Sequence, residues 1–431
     1  MVATPIRNVM GAPVARRGGI YLAAVIARQM AGLLLLAILV ATISAPDFTR
    51  FGLMVSAFAL LVPTLSLNLH LAPARLFFDC TDEAGRANLL KSSLSGALAL
   101  ASLGILATLV ALRLTGWQEP VSDGSLELQL GLAFVTVSLV VTQFGANLFR
   151  IRGRAGAFFL LVVIQAFGLI AAVLVLGRTV GAGMRSLILA YLTTQLLASS
   201  FVLWAGRGLL SQGRLERDAL LASFHYSWPT AVHLVALWAI TASGRWIGSG
   251  YLPLADLAAY TLMTQIVVGI GALGRALFDA RLPEMASGFA SEEPLSGVRL
   301  ANQTTALSLA LTVMAYAALA ALVFVFSIPI PSAYRPTPLL LALAMLANLC
   351  DAAYVRGVQI LHLSKRTREQ AAATVSAGFV TVILSFVLVG VGGDTGLMAA
   401  VVIGLSLQAV FSNRRARAIG DAGGGGRYRP L

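Results

Sequence analysis

The chain has 431 residues, 58% of them hydrophobic and only 11% charged, with a formal net charge of +13. A water-soluble chain of this length carries about 25% charged residues and far more polar surface, so these figures exclude a soluble globular enzyme. The basic excess lies in short clusters between apolar runs rather than on one face, which excludes nucleic acid as a partner and points to membrane topology.

The apolar runs, each about 20 residues and bounded by charges, Gly or Pro, read as helices crossing a bilayer. In chain order they predict spans at 19–43, 51–71, 90–113, 128–149, 155–176, 185–205, 221–246, 254–277, 304–326, 337–361, 370–391 and 396–412. The expected fold is an all-α integral membrane protein of about 12 transmembrane helices. The first run follows Arg7, Arg16 and Arg17, as a secretion signal would. From Gly19 to Ile43 it is far longer than the roughly 7–15 residues of a signal core, and it lacks a small-x-small exit, so it reads as a permanent span.

The loops fall into two alternating sets. One holds 23 of the 31 basic residues, including Arg150, Arg152 and Arg154, then Lys365, Arg366 and Arg368, and the basic tail. The other holds only Arg50, Arg113, Arg178, Arg185, Arg245 and Arg335. The positive-inside rule makes the first set cytoplasmic and places both termini inside. The external loops are short, the longest being "TGWQEPVSDGSLE" (115–127), and the Gly-rich segment 419–431 reads as a disordered cytoplasmic tail.

No metal or cofactor is expected. Cys80 and Cys350 are far apart, and the four histidines are scattered. His225 and His233 lie eight residues apart on one expected helix, about 12 Å, too far to share a metal. Nor is there a nucleophile–base arrangement, a phosphate loop or a nucleotide fold, so the reading is not an enzyme.

Three echoes link the halves. "DFTRFGLM" (47–54) matches "DLAAYTLM" (256–263), "RLFFD" (75–79) matches "RALFD" (275–279), and "RIRGRAGA" (150–157) resembles "KRTREQAA" (365–372). They keep the same order at equivalent span boundaries. The period is six spans, an even number, so the chain is expected to form two six-helix lobes, 1–210 and 211–418, related by a pseudo-two-fold axis along the membrane normal.

On these segments the chain resembles the polysaccharide-type oligosaccharide flippases of the MOP exporter superfamily, which also holds the MATE drug exporters. The residues carrying the likeness are "SAPDFTRFGLMVSAFALL" leading into "LNLHLAPARLFFD", then "SFHYSWPTAVHLVALWAITASGRWIGSGYLPLADLAAYTLMTQI", and "LSKRTREQAA" before span 11. The likeness runs from about residue 18 to 418. One departure is Gly244, which stands where the family has an acid before the span 7 arginine. The resemblance implies an inner-membrane transporter that flips polyprenyl-pyrophosphate-linked oligosaccharide outward for surface polysaccharide such as lipopolysaccharide or exopolysaccharide. It also implies a cavity lined by spans 1, 2, 7 and 8, contact with membrane lipids, coupling to a proton or sodium gradient, and work beside polysaccharide polymerase and export machinery. A MATE-like multidrug or cation antiporter is the alternative, and would favour cation-binding acids in the cavity. A membrane polysaccharide polymerase or ligase would carry a large external loop.

Polar residues inside the spans are the candidate site. Arg28, about 14 Å into span 1, is a candidate for the cargo phosphate or a snorkelling arginine. Asp351 and Arg356 of span 10 are ion-coupling candidates; five residues apart, they point about 140° away from each other and are expected to pair elsewhere. His70 and His233 either titrate with the gradient or act as neutral interhelical donors. Arg275 lies near the cytoplasmic interface as a positioning group, and Arg245 near the outer interface, where it guides an anionic headgroup outward or anchors the span; with Arg28, His70 and His233 they are the substrate-binding candidates of the cavity. Pro229 and "GIGALG" (269–274) supply bending or close packing.

Overall fold

The computed structural model describes residues 12–115, 121, 125–290, 294–326, 330–363 and 367–423, and almost all of them are helical. That is the expected answer to lipid, where every backbone N–H and C=O has to be satisfied within the chain. The helices are α1 (Ala12–Thr42), α2 (Ala45–Leu65), α3 (Pro73–Leu76), α4 (Glu83–Thr115), α5 (Leu126–Ile151), α6 (Ala155–Thr179) and α7 (Met184–Gln212). They continue with α8 (Arg217–Thr241), α9 (Ser243–Tyr251), α10 (Ala258–Ala290), α11 (Pro294–Ala320), α12 (Pro338–Leu363) and α13 (Thr367–Gly423).

Ten helices among the described residues are long and apolar enough to cross a membrane. The count differs from twelve for two physical reasons. Spans 11 and 12 run together as α13, broken only where Gly393 takes φ 54°, ψ −129°, a conformation open to glycine. Span 7, diluted by His225, Pro229, His233 and Arg245, falls short in hydropathy and is two helices, α8 and α9, parted at Ala242 (φ −133°). Dividing α13 at Gly393 and adding the α8–α9 segment restores twelve crossings. Span 2 ends earlier than expected, at Leu65. Leu67 and Asn68 adopt left-handed φ of 46° and 56°, which stops the helix, and His70 sits in a 3-10 turn beyond it. Span 9 starts ten residues earlier than expected, at Pro294, and closes in a π-helical turn, Ala321–Val325.

The chain divides into two compact units, residues 1–34 with 61–231, and residues 35–60 with 232–431. In the first unit α4, α5, α6 and α7 close on Phe144, Phe149, Phe158, Leu161 and Val202, all at most 1% exposed. The start of α8 is fastened there: the hydroxyls of Ser93 and Ser223 meet at 2.8 Å, and the Lys91 ammonium donates to the Gly213 carbonyl at 2.9 Å. Leu103, Leu106, Val110 and Leu114 form an exposed stripe along α4, spaced by three and four residues, as a lipid-facing surface requires.

In the second unit residues 35–60 pack into the C-terminal helices. Thr49 Oγ1 donates to the Leu254 carbonyl at 2.7 Å, and Tyr334 donates to the Ile43 carbonyl at 2.8 Å. Trp238 Nε1 donates to the Ser56 carbonyl at 2.8 Å, and Trp246 Nε1 to the Ser56 hydroxyl at 2.9 Å. Gly52 lies directly against the Thr261 side chain, with no room for a Cβ. These two residues hold the same place in the echoed segments "DFTRFGLM" and "DLAAYTLM".

Candidate functional site

Arg28 stands in an otherwise apolar stretch of α1, exposed, with no hydrogen-bond or ion-pair partner among the described residues. The charge acting on it is a second cation, Arg150, whose guanidinium lies over the Phe158 ring at 4.6 Å. Two neighbouring cations in an apolar setting attract an anion and repel a cation.

His70 belongs to the same unit. It is wholly buried, with Nε2 2.8 Å from Gln143 Oε1 and Nδ1 3.2 Å from Ser66 Oγ. An amide oxygen accepts only, so Nε2 carries a proton. Burial, which outweighs the Gln143 bond, pushes its pKa down to about 4. Gln143, one helix away on α5, is the partner that sequence spacing gave no means to find.

In the second unit the arrangement turns on Asp351, near the middle of α12. Its carboxylate accepts from Arg275 Nη1 of α10 at 2.6 Å. The pair is lopsided: the Asp351 side chain is 12% exposed and that of Arg275 45%. Beside it Asn348 Nδ2 donates to the Tyr316 hydroxyl at 2.9 Å, while Asn348 Oδ1 is buried with no partner. Ser308 and Thr312 of α11 complete the wall of a cavity of about 10 Å³, about the room of one water. The glycines of "GIGALG" explain this close approach. A Cβ on Gly271 would stand 2.9 Å from Asp351 Oδ2, and one on Gly274 would stand 2.6 Å from Ser308 Oγ. Of the two readings open in the sequence, these contacts favour packing over bending.

Arg356 turns away from Asp351, as the spacing requires. It donates through Nε to Asn302 Oδ1 and through Nη1 to Asn413 Oδ1, both at 2.6 Å. It fastens α12 to α11 and α13. His233 is half-buried on α8, one turn after Pro229. Arg245, expected to anchor at the outer interface, is instead only 4% exposed, its Nε and Nη2 donating to Thr264 Oγ1 at 2.9 and 2.7 Å. The break at Ala242 begins a new helix and turns Arg245 inward. The structure therefore brings Arg275 and Asp351 together and leaves Arg28, His70, His233, Arg245 and Arg356 in separate surroundings. No group of three or more His, Cys, Asp or Glu gathers among the described residues to hold a metal.

No protein-family model matches the chain, and no curated protein matches it. Solved structures do. A multidrug resistance MATE family transporter of the MOP superfamily, in its inward-facing conformation, aligns over 91% of this chain and 96% of its own, with TM-score 0.68 and 15% identity. The chain has the MATE fold. The eukaryotic MATE transporter AtDTX14 aligns over 94% of this chain and 98% of its own, with TM-score 0.66 and 14% identity. A MATE transporter in complex with Br-NRF covers 97% of this chain and 100% of its own, with TM-score 0.61 and 15% identity. With the ten apolar helices, the MATE fold makes the chain a multi-pass membrane protein.

Proposed function

We propose that this MATE-fold protein is a transporter, not an enzyme, which flips polyprenyl-pyrophosphate-linked oligosaccharide across the cytoplasmic membrane by alternating access, for assembly into surface polysaccharide. The observation that carries the reading is Arg28: a guanidinium inside an apolar helix with no partner among the described residues and with Arg150 as its charged neighbour. An intramembrane charge of that kind is costly unless it serves a partner, and a pyrophosphate supplies one. The deepest acid supports the same choice. Asp351 is already held by Arg275, so it does not stand free to receive an organic cation. In this reading Arg28 attracts the anionic headgroup, and a proton or sodium ion couples transport by competing with Arg275 for Asp351. The chain is organised as six-helix lobes 1–210 and 211–418, with both termini in the cytoplasm.

A MATE-like multidrug or cation antiporter is the second reading, favoured by the multidrug resistance transporter among the structures of the same fold. Purified protein in proteoliposomes separates the two. A fluorescent polyprenyl-pyrophosphate saccharide placed in one leaflet should become accessible from the other, and Arg28→Ala should slow that transfer. Transfer no faster than in empty vesicles, together with gradient-driven uptake of an organic cation, overturns the flippase reading.

A further inference from the structure

Arg245 is a buried guanidinium with no ion-pair partner among the described residues. Among the described residues its only hydrogen-bond acceptor is Thr264 Oγ1, a neutral hydroxyl whose own proton goes to the Thr261 carbonyl at 2.9 Å. Arginine cannot shed its charge by losing a proton, and a buried ion without a partner is strongly destabilising. The neighbouring sequence does not supply the missing acid. Gly244 is in the place for one, and a Cβ there would meet the Tyr260 hydroxyl, which would have to move aside. Asp394 acts electrostatically on Tyr260 but forms no ion pair with Arg245.

A second unsatisfied group lies near this cation. The Tyr260 hydroxyl, 0% exposed, has no hydrogen-bond partner and lies within electrostatic reach of Arg245. Tyr260 and Thr264 are one turn apart on the same face of α10. The next positions along α10 carry Thr261 Oγ1 and Gln265 Nε2, both buried and both without a partner among the described residues. A buried cation and a buried hydroxyl without a partner thus lie near each other, whereas most buried polar groups in folded chains are satisfied.

We infer that Arg245 and Tyr260 bind a small monovalent anion of the halide class, chloride being the abundant one, as the missing counter-ion of the second unit. Burial selects the size. An arginine 4% exposed has no opening for a pyrophosphate or a sugar acid, so this anion is distinct from the cargo, and the site stands whether or not the flippase reading does. Its role is to neutralise the α9–α10 packing where residues 35–60 lie against Thr261 and Trp246.

The test uses the full chain in nanodiscs, unfolded by heat in sodium gluconate with increasing chloride or bromide. The site predicts a saturable rise in Tm of several degrees in wild type, absent from Arg245→Met. It also predicts that Tyr260→Phe needs several-fold more halide for half the effect. Should Arg245→Met fail to fold, Tyr260→Phe carries the test, with bromide-soaked crystals expected to show an anomalous peak beside Arg245. An equal Tm in chloride and gluconate overturns the site. So does a rise that grows without saturating, or a half-saturation unchanged in Tyr260→Phe.

Discussion

Removing Arg275 should cost far more than removing the charge of Asp351, because the two ends of this ion pair stand in different surroundings. The Asp351 carboxylate is 12% exposed in its side chain and rests in a cavity of about 10 Å³, whereas the Arg275 side chain is 45% exposed. Taking away one member of a buried pair costs about 3–5 kcal/mol, since the other is left charged and uncompensated. Arg275→Ala strands the carboxylate and should fall near the lower end, about 3 kcal/mol, one water being able to enter. Asp351→Asn keeps the shape, and Arg275 can turn its exposed head to water or a headgroup, so the cost should be about 1 kcal/mol. The double variant leaves no charge stranded and should cost about 2 kcal/mol, giving a coupling of about 2 kcal/mol. Thermal unfolding of the four proteins in one detergent measures the cycle. The reasoning fails if Asp351→Asn is as damaging as Arg275→Ala, or if the two effects add.

Three further outcomes follow from the same structure. Arg28→Ala should reduce export several-fold while membrane levels, read by immunoblot, stay normal; wild-type export would remove Arg28 from the site. His70, which the fold places beyond the end of the α2 span, is neutral when folded and takes up a proton on unfolding below its ordinary pKa of about 6.5. The unfolded chain therefore holds more protons between pH 6.5 and 4, so stability falls as pH drops, by about 3 kcal/mol at the limit. His70→Gln should flatten that slope in denaturation series from pH 7 to 4.5, and an unaltered slope would contradict the assignment. Ser56→Ala removes the acceptor of Trp246 but not the backbone acceptor of Trp238, so it should cost about 1 kcal/mol and change the tryptophan fluorescence, whereas an unchanged spectrum and Tm would count against that seam.

The membrane fold was legible because hydropathy acts over whole helices. Spans at 128–149, 155–176 and 337–361 lie within three residues of α5, α6 and α12 at each end. The limits that shifted depend on single backbone dihedrals: the left-handed pair Leu67–Asn68, the break at Ala242 and the positive φ of Gly393. A hydropathy window averages such positions away. The site was legible by residue type but not by partner. Helical angles alone separate Asp351 from Arg356, yet they cannot say that Arg275, 76 positions earlier, takes Asp351 or that Asn302 and Asn413 take Arg356. The one advance signal was the cluster of glycines at 269–274, small residues where two helices must come close. Arg245 misled for a related reason. Its depth suggested an interface anchor, and the broken helix turned it into the protein instead.

Deleting the gene and locating the undecaprenyl-linked intermediates tests the central claim most directly. Flipping predicts that lipid-linked oligosaccharide accumulates on the cytoplasmic leaflet, that surface glycan is lost, and that both recover with the wild-type gene but only weakly with Arg28→Ala. Normal surface glycan together with new sensitivity to cationic drugs or dyes would contradict it and establish cation antiport instead.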